Sequence, residues 1–401
     1  MQNPSRKIAI VTETFPPEIN GVANTLRYLC HGLADKGHRL QIVRPRQPLA
    51  RQVPVHESIS ATEDQVSDHQ VAGLPLPGYP DLRFGLTTGN RLKRLWKQDR
   101  PEAVYVATEG PLGWAAVSAA RDLNLPVSAG FHTNFHTYSR YYGAGFLEKL
   151  ITLYLRRFHN RAGTTLVPTQ RMRQYLQTLG VERVQVWSRG VDCDRFSPRW
   201  RNTELRRAWG LQDDDLAVLY VGRLAAEKNL QLAVHCYERL RHLHPHAKFV
   251  LVGDGPLRRR LQERHPDYIF CGMQKGEALA RHYASGDLFL FPSKTDTFGN
   301  VVTEALASGL GVVAFDDAAA GEHIHHEING MKVPLQADAD YIQAALKLAD
   351  QPSLLKQLRH EARQKALNLH WREIVEQFEQ KVLNPPSEER RHAIKQSVSL
   401  L

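Results

Sequence analysis

Short runs of apolar residues recur along the chain, and the segments between them often carry apolar residues at every third or fourth position. The short runs predict buried strands. The wider spacing predicts amphipathic helices, the first of which presents Leu26, Leu29 and Leu33 on one face and ends at Gly37. Because strands and helices alternate, we expect a doubly wound, parallel-sheet α/β fold. The predicted strands cover residues 8–11, 40–43, 103–106, 127–130, 165–167, 216–221, 248–252, 268–271, 288–291 and 311–315.

The strand–helix alternation stops and restarts near the middle of the chain, and 401 residues exceed what one ordinary hydrophobic core holds. We therefore expect an N-terminal Rossmann-like domain over residues 1–195 and a C-terminal one over residues 196–370. Residues 371–401 begin with an amphipathic helix that no strand follows, so we expect it to pack back on the N-terminal domain before a tail. Residues 45–80 are rich in proline and polar groups and predict a mobile loop with short strands.

Composition indicates the compartment better than the function. The four cysteines are scattered without C-x-x-C spacing, which disfavours a disulfide framework or a zinc site and favours a reducing compartment, the cytoplasm. The apolar runs are too short to span a membrane. The N-terminus, where Arg6 and Lys7 precede the first strand, lacks the apolar segment of a signal peptide.

A formal charge of +10 indicates an anionic partner without identifying it. Nucleic acid, an anionic membrane surface and an anionic substrate all suit such a field, and a solvated basic surface is the competing interpretation. No helix-turn-helix, zinc-finger or aromatic RNA-binding signature accompanies the charge, so we expect no nucleic acid. The basic clusters lie in the N-terminal half, at Arg44, Arg46 and Arg51, at Arg91, Lys93, Arg94, Lys97 and Arg100, and at Arg156, Arg157 and Arg161.

The segment after the predicted strand at 288–291 is the most informative for function. Asp296 and Glu304 flank a glycine-containing turn there, and a helix is expected to begin within it. Ligands of doubly wound sheets bind at the carboxyl ends of strands. A helix N-terminus offers N–H groups to an anion, and carboxylates accept hydrogen bonds from sugar hydroxyls. The segment therefore predicts a nucleotide-sugar site, whose residues at the turn and helix start are Phe298, Gly299, Asn300 and Val301.

Two cations follow the predicted strand at 216–221. Arg223 and Lys228 bracket a strand-to-helix junction, where both can converge on a diphosphate, although a surface loop with two cations is also common. The next strand ends at Gly253 and Asp254, in the sequence Gly-Asp-Gly-Pro. Glycines there would allow a ligand to approach the backbone, and the same four residues also make an ordinary turn.

Metal-ligand patterns are weak. The D-x-D strings at 192–194, 213–215 and 338–340 fit charged turns better than a cation site, and no H-E-x-x-H spacing occurs among the nineteen histidines. His323, His325 and His326 form a local cluster that we expect on the surface of a loop. We therefore expect neither a metal nor another cofactor.

Taken in order, these segments resemble the retaining family-4 glycosyltransferases, and the resemblance covers nearly the whole chain. It implies the GT-B fold, in which two Rossmann-like domains face each other and the active site lies in the cleft between them. The segments that carry it are Phe15-Pro16-Pro17 with Asn20-Gly21-Val22, Arg189-Gly190-Val191-Asp192, Gly222-Arg223-Leu224 with Glu227-Lys228-Asn229, Gly253-Asp254-Gly255-Pro256, and Pro292-Ser293 through Gly309.

The resemblance also implies roles for individual residues. Arg223 and Lys228 would contact the donor diphosphate, and the backbone near Gly21 would complete that cradle. Glu304 would accept hydrogen bonds from the nucleotide ribose. Asp296 stands where the family usually has a glutamate that faces the donor sugar, so its side chain is one methylene shorter.

The N-terminal half supplies the remaining candidates. His132 matches the family's active-site histidine, and without the resemblance a satisfied buried histidine would be the better interpretation. His136 and Tyr138 are candidates for the acceptor side. Glu109 lies where the family often has His-x-Pro and is a weaker acceptor contact. A further departure is the run of Ala318, Ala319 and Ala320 before Gly321 and Glu322, where many relatives carry a glycine pair.

The resemblance implies an enzyme that moves a hexose from a UDP-sugar or GDP-mannose to a hydroxyl group with retention and without a metal. We expect a glycolipid or phospholipid acceptor at the cytoplasmic face of a membrane, with the protein held there peripherally. A soluble sugar or polysaccharide acceptor is the first alternative. A non-catalytic sugar-nucleotide or nucleic-acid binding protein is the second, and an epimerase or phosphorylase of the same architecture is the third. The oligomeric state stays open.

Overall fold

A computed structural model of the chain describes residues 4–18, 20–47, 54–76, 79–132, 145–296 and 298–384. The chain divides into two compact units. The first unit comprises Met1–Arg189 together with Trp371–Leu401, and the second comprises Gly190–His370. The C-terminal segment therefore returns to the unit in which the chain begins.

The first unit contains an eight-stranded sheet. Its strands are β1 (Lys7–Val11), β2 (Arg39–Pro45), β3 (Val66–Leu76), β4 (Tyr79–Leu86), β5 (Ala103–Val106), β6 (Val127–Gly130), β7 (Thr164–Val167) and β8 (Val184–Val186). They lie in the order β4-β3-β2-β1-β5-β6-β7-β8. Neighbours are parallel except β3 and β4, which pair antiparallel. The order reverses between β1 and β5, so a crevice is expected beyond their carboxyl ends.

Apolar side chains alternate between the two faces of this sheet, and helices cover both faces. In β1, Ile8 and Ile10 belong to one buried cluster while Ala9 and Val11 belong to another. This is the pattern of a central parallel strand with a core on each side. The helices of this part of the chain are α1 (Gly21–Asp35), α2 (Val55–Ser58), α3 (Gly89–Gln98), α4 (Pro111–Asp122), α5 (Gly145–Arg161) and α6 (Gln170–Thr178).

The second unit contains a six-stranded, fully parallel sheet in the order β11-β10-β9-β12-β13-β14, which reverses between β9 and β12. Its strands are β9 (Ala217–Val221), β10 (Lys248–Val252), β11 (Ile269–Gly272), β12 (Leu288–Phe291), β13 (Gly311–Phe315) and β14 (Met331–Val333). Its helices are α7 (Thr203–Ala208), α8 (Leu230–Leu243), α9 (Arg258–Arg264), α10 (Gly276–Ser285), α11 (Asn300–Ala307), α12 (Ala318–His323), α13 (Asp338–Asp350) and α14 (Pro352–Leu367).

A buried ionic cluster lies at the start of β12. Asp287 accepts hydrogen bonds from Arg201 at 2.8 Å, from Arg206 at 2.9 Å and from Arg359 at 2.9 Å, and also from the Ala217 N–H. Burial opposes ionisation of this carboxyl, but the guanidinium groups outweigh it and hold the pKa of Asp287 below its usual range. The cluster ties α7, β9 and α14 to one end of the second sheet.

The C-terminal helix α15 (Trp371–Phe378) belongs to the core of the first unit. Trp371 stacks on Tyr28 of α1 with the ring centres 5.0 Å apart. Val375 lies so close to Gly32 that a Cβ on this glycine would be 2.6 Å from it. Beyond the helix, a π-helical turn begins at Glu379, which is buried and pairs with Lys36 at 2.8 Å and His38 at 2.9 Å. These contacts fasten the end of the described chain to α1 and β2.

The structure confirms the doubly wound α/β fold, and it contains each of the predicted strands with ends shifted by two residues or fewer. The expectation for residues 45–80 was wrong in one respect, since they include β3, whose eleven residues make a long strand. Proline and polar residues are tolerated there because β3 lies next to the edge strand β4 and is held by pairing with both β2 and β4. In the described part of the chain, no helix has the length and apolar character needed to cross a membrane.

Candidate functional site

The loops that follow β9 and β12 meet at the point where the strand order of the second sheet reverses. The Lys228 Nζ donates to the Asp296 Oδ1 across 2.8 Å. Two further bonds join the same loops, from the Asn229 side chain to the Pro292 carbonyl at 3.2 Å and from the Thr295 hydroxyl to the Glu227 carbonyl at 3.1 Å. The structure therefore brings two of the predicted donor-site residues into direct contact.

Lys228 and Arg223 occupy different surroundings within the first of these loops. Lys228 ends a short 3-10 helix, Ala226–Lys228, and Asn229 then turns the chain through a left-handed conformation with φ of 54°. This turn starts α8 and directs the lysine toward the neighbouring loop. Arg223 is 65% exposed and lies 3.5 Å from Glu227, a contact that solvent weakens. Its guanidinium remains accessible to an anion.

Three side-chain atoms near β12 are buried without a hydrogen-bond partner among the described residues. They are the Asp296 Oδ2, the Ser293 Oγ and the Asn300 Oδ1, all within the segment that leads into α11. Buried polar atoms are nearly always hydrogen-bonded, so a group of unsatisfied ones indicates a place where a ligand or water completes the bonding. The segment predicted to hold the donor sugar is therefore also a segment in which buried polar atoms lack hydrogen-bond partners among the described residues.

The helix α11 begins at Asn300, as predicted, because Gly299 turns the chain with φ of 78°. A side chain at this position would be 3.2 Å from the Phe291 ring, so glycine suits both the backbone and the packing. Phe298 is buried, and its carbonyl accepts from the Ala319 N–H at 2.7 Å. Val301 is partly buried and packs against the hydrophobic core of the second unit.

Glu304 lies one turn into α11 and has a perturbed carboxyl group. Burial raises its pKa to about 7, although the Tyr283 hydroxyl and the charge of Arg195 both favour the ionised form. The Tyr283 hydroxyl donates to the Glu304 Oε2 across 2.9 Å. Tyr283 comes from α10, and its sequence neighbourhood gives no sign of this role. A half-buried carboxylate with one fixed donor still has acceptor capacity for ribose hydroxyls.

The glycines on either side of Asp254 allow the turn after β10 to pack closely against the turn after β9. Added side chains at Gly253 and Gly255 would overlap the carbonyl oxygens of Gly222 and Leu224. Asp254 is exposed, and its carboxylate accepts from its neighbour's N–H at 2.8 Å and from Arg258 at 2.8 Å. Close approach of a ligand is thus not needed to explain these glycines, and the structure shows no contact between Asp254 and Lys228 or Asp296.

In the first unit, Gly21 begins α1 beside the carboxyl end of β1. Asn20 caps this helix, accepting from the Val22 N–H at 3.1 Å and the Ala23 N–H at 2.9 Å. A Cβ on Gly21 would lie 3.0 Å from the Nη1 of the buried Arg189, so a larger residue at this position would crowd the guanidinium. Burial lowers the pKa of Arg189 to about 10, which leaves it charged at neutral pH.

His132 follows β6 and is buried. Its Nε2 lies 2.9 Å from the Tyr105 hydroxyl, while its Nδ1 is buried without a partner among the described residues. Burial, reinforced by the charge of Arg189 and by His159, lowers the pKa of His132 to about 3. The imidazole is therefore neutral and only half satisfied, which differs from an ordinary structural histidine.

Glu109 is buried at the start of α4, with its carboxylate 3.7 Å from His159 and its carbonyl accepting from the Tyr154 hydroxyl. Sequence reasoning missed a second carboxylate here, Glu13, which follows β1. It accepts from the N–H groups of Gly85 and Leu112, and burial raises its pKa to about 7. The other two acceptor-side candidates, His136 and Tyr138, lie outside the described residues.

The expectation for one member of the histidine cluster was wrong. His323 is buried with its ring edge-on to Phe298, and burial lowers its pKa to about 3. His325 and His326 are exposed as predicted. Within the described ranges, no three His, Cys, Asp or Glu side chains are placed to hold a metal ion.

Comparison with known proteins shows which protein family shares this sequence and fold. The profile of Glycosyltransferase Family 4 matches residues 19–195, and that of Glycosyl transferases group 1 matches residues 215–351. The chain is 34% identical over 331 residues to a GDP-mannose-dependent alpha-mannosyltransferase of Mycobacterium tuberculosis, covering 82% of this chain and 84% of the relative. It is 28% identical over 319 residues to the sulfoquinovosyl transferase of Arabidopsis thaliana, covering 77% of this chain and 59% of the relative.

The fold is also found among solved structures. The Anabaena protein HepE in complex with UDP matches with a TM-score of 0.73 and 16% identity, over 94% of this chain and 99% of that one. Two parallel-sheet α/β units of this kind constitute the GT-B fold, and the protein is a glycosyltransferase. The chain belongs to glycosyltransferase family 4.

Proposed function

We propose that the protein transfers mannose from GDP-mannose to a hydroxyl group of a lipid acceptor, with retention at the anomeric carbon and without a metal. The observation that carries the proposal is the loop pair at the reversal point of the second sheet, where Lys228 contacts Asp296 in the segment that leads into α11, the helix that carries Glu304. A cation, a sugar-facing carboxylate and a ribose-facing carboxylate are the groups that a nucleoside-diphosphate sugar needs. The similarity to the mycobacterial mannosyltransferase supports mannose and guanosine.

In the proposed mechanism, cleavage of the sugar–phosphate bond leaves negative charge on the departing diphosphate. Arg223 and Lys228 would stabilise that charge, which is the part of the reaction where fixed cations contribute most. Lys228 would then exchange its bond to Asp296 for one to a phosphate oxygen, or bridge the two. Asp296 would accept from a sugar hydroxyl through its unpartnered Oδ2. Glu304 would hold the ribose.

His132 is proposed to orient the donor sugar as a neutral hydrogen-bonding group, and the Gly21 turn to contact the diphosphate, as the resemblance implies. A histidine with a pKa of about 3 does not act as a cation or as an effective base at neutral pH. We therefore nominate no protein nucleophile. Retention is attributed to attack by the acceptor hydroxyl on the same face that the diphosphate leaves: the bond from C1 to the diphosphate oxygen breaks, the bond from C1 to the acceptor oxygen forms, and the hydroxyl proton passes to the departing diphosphate oxygen.

A lipid acceptor is supported by the similarity to the plant sulfoquinovosyl transferase and by the exposed cations Arg91, Arg94 and Lys97 of α3. Of the first basic cluster, Arg44 is buried and pairs with Asp68, and Arg51 lies outside the described residues. Each Lys or Arg near an anionic bilayer adds about 1 kcal/mol of attraction. We accordingly place the protein peripherally on a membrane surface, at its cytoplasmic face. A soluble sugar acceptor is the competing proposal and is distinguished by the acceptor panel below.

The test is a panel of GDP-mannose, GDP-glucose, UDP-glucose and UDP-galactose against diacylglycerol-based lipids, phosphatidylinositol and free sugars, with radiolabelled product separated by extraction. We expect transfer from GDP-mannose into the organic phase, and an α-linked product by NMR coupling. The Arg223→Ala and Lys228→Ala variants should each lose at least about a hundredfold in kcat/KM, by analogy with loss of a transition-state donor.

Two substitutions in the same unit serve as controls. Lys294→Ala removes a lysine that pairs with Asp338 at 2.6 Å, and Arg259→Ala removes an arginine that pairs with Glu263 at 2.9 Å. Both should retain activity. Undiminished turnover by the Arg223 and Lys228 variants would refute the site assignment, and tight nucleotide binding without turnover on any acceptor would favour a binding protein.

A further inference from the structure

The hydroxyl of Tyr105 and the ring of His132 form a buried pair near the carboxyl edge of the first sheet. Tyr105 belongs to β5, and His132 follows β6, the neighbouring parallel strand. The Tyr105 hydroxyl oxygen lies 2.9 Å from the His132 Nε2, and both residues are buried. The sequence pointed to the histidine but gave Tyr105 no role, because their pairing depends on two strands meeting in the sheet.

Gly130, the last residue of β6, leaves the space in which this hydrogen bond forms. A Cβ at position 130 would overlap the Tyr105 hydroxyl oxygen and would lie 2.6 Å from the His132 Nε2. Both contacts are too short for a real side chain, so any residue larger than glycine would push the two bonded atoms apart. The sequence of β6 thus accommodates the pair.

The Tyr105 ring is held in place by aromatic neighbours. Trp187 meets it edge-on with the ring centres 6.2 Å apart, and Phe378, at the end of α15, does so at 5.0 Å. Trp187 is itself anchored, because its Nε1 donates to the Ile374 carbonyl at 2.9 Å. With the ring fixed in this way, the hydroxyl can change only the direction of its proton.

The hydrogen-bonding capacity of the pair decides where that proton points. Within the described ranges, the His132 Nε2 is the only partner of the Tyr105 hydroxyl, and the His132 Nδ1 has none. If Nε2 carried the ring proton and donated to Tyr105, the hydroxyl proton and the Nδ1 lone pair would both be buried without a partner. If Tyr105 donates to Nε2, a single group is left over, the Nδ1–H. Unsatisfied buried polar groups are costly, so the second arrangement is favoured.

Both residues are in the protonation states that this arrangement needs. Burial raises the pKa of Tyr105 above its usual range, so the hydroxyl keeps its proton at neutral pH. Burial lowers the pKa of His132 to about 3, so its ring carries one proton, and one nitrogen is an acceptor. The remaining choice is between the two tautomers of a neutral imidazole.

We propose that Tyr105 is a positioning residue: its hydroxyl donates to the Nε2 of His132, keeps the ring proton on Nδ1, and so presents His132 to the substrate as a hydrogen-bond donor. The inference rests on the proposed function, because a donor here acts on transfer only if a substrate oxygen binds against it. A sugar oxygen satisfies the Nδ1–H. The other tautomer would offer a lone pair at Nδ1 and would select a group that donates.

The tautomer of His132 is measured by nitrogen NMR without any turnover. Full-length protein with isotope-labelled histidine gives signals for both ring nitrogens, and those of His132 are the ones absent from His132→Ala. The wild type should show a protonated Nδ1 and an unprotonated Nε2, and Tyr105→Phe should populate the form with the proton on Nε2. The control Tyr341→Phe deletes a buried hydroxyl that donates to the Val313 carbonyl at 3.0 Å, and should match the wild type. A proton on Nε2 in the wild type would overturn the proposal even if Tyr105→Phe failed to fold.

A double-mutant cycle separates positioning from a general effect on the fold. Tyr105→Phe should lower kcat/KM for GDP-mannose about tenfold, the loss expected for one hydrogen bond, and should leave unchanged the affinity for GDP, which lacks the mannose. In the His132→Ala background, Tyr105→Phe should cause no further loss, because the ring that it positions is gone. An equal loss in both backgrounds, or an equal loss of GDP affinity, would overturn the proposal. A wild type that transfers sugar from no donor would reject the proposed function instead, and the NMR measurement would still decide the tautomer.

Discussion

Replacing Tyr283 by phenylalanine removes the hydroxyl that donates to the Glu304 carboxylate across 2.9 Å, and changes little else in the core. In the wild type, burial raises the pKa of Glu304 to about 7, and the hydrogen bond from Tyr283 lowers this pKa and so partly offsets the effect of burial. Without that bond, the charged form of Glu304 loses its nearest donor. The pKa of Glu304 therefore rises further, and at neutral pH the carboxyl group becomes mostly protonated.

The size of the change follows from the strength of the bond. A hydrogen bond to a charged group contributes about 1.5–3 kcal/mol, and one pKa unit corresponds to about 1.4 kcal/mol. Because Glu304 is half-buried, water replaces part of the lost bond, and we expect the lower end, an increase of about one unit. At pH 7 the ionised fraction of Glu304 would then fall from about one half to about one tenth, so the apparent affinity for the nucleotide would fall about fivefold.

The assay is calorimetric titration of GDP into wild type and Tyr283→Phe between pH 6 and pH 9.5. Ionised Glu304 is the form that accepts from the ribose, so affinity should rise with pH in both proteins, with a midpoint near 7 in the wild type and about one unit higher in the variant. The two curves should meet at high pH. Tyr237→Phe is the control, because it deletes a buried hydroxyl that donates to the Ala247 carbonyl at 2.9 Å. Superimposable pH curves for wild type and Tyr283→Phe would refute the reasoning.

Three further outcomes are expected. Asp296→Glu restores the family's usual side chain and should change the ratio of kcat/KM for GDP-mannose over GDP-glucose; an unaltered ratio would show that this carboxylate does not face the sugar. Asp287→Asn leaves the buried Arg206 and the partly buried Arg201 and Arg359 without their anion and should destabilise the second unit by about 3 kcal/mol in urea. Asp267→Asn on the surface should have little effect, and equal midpoints would contradict the cluster's contribution. Ala318→Gly relieves a φ of 50° and should stabilise the protein by about 0.5–1 kcal/mol, whereas a loss of stability would mean that the alanine side chain packs usefully.

The sequence predicted what depends on local pattern. Continuous apolar runs such as Leu288–Phe291 identified central parallel strands, because such strands are buried on both faces. Gly299 and Asn300 marked the start of α11 because a glycine in a left-handed turn is a local signal. The local pattern thus located the motif residues in the loops after β9 and β12, and the family resemblance implied that these loops share one donor site.

What the sequence did not predict depends on contacts between distant segments. Tyr283 can donate to Glu304 only because the fold brings α10 next to the start of α11. Arg189 lies against Gly21 although the two residues are far apart in the sequence. Glu13 is likewise defined by N–H groups that come from β4 and α4. Such partners are separated by tens to hundreds of residues, and no spacing rule connects them.

The strands β3 and β4 illustrate the same limit for secondary structure. Pro75 and the glycines of β3 and β4 are unfavourable for strands taken alone, which is why residues 45–80 were expected to form a mobile loop with only short strands. Pairing with each other and packing on α4 stabilise both strands in the folded unit.

The central claim is that the loops after β9 and β12 bind the diphosphate of a nucleotide sugar, and titration of GDP into three proteins tests it most directly. Wild type and Lys294→Ala should bind with the same affinity, while Lys228→Ala should bind at least about tenfold more weakly, as expected for loss of a charge-assisted contact to phosphate. Unchanged GDP affinity in Lys228→Ala, or equal weakening in Lys294→Ala, would contradict the account.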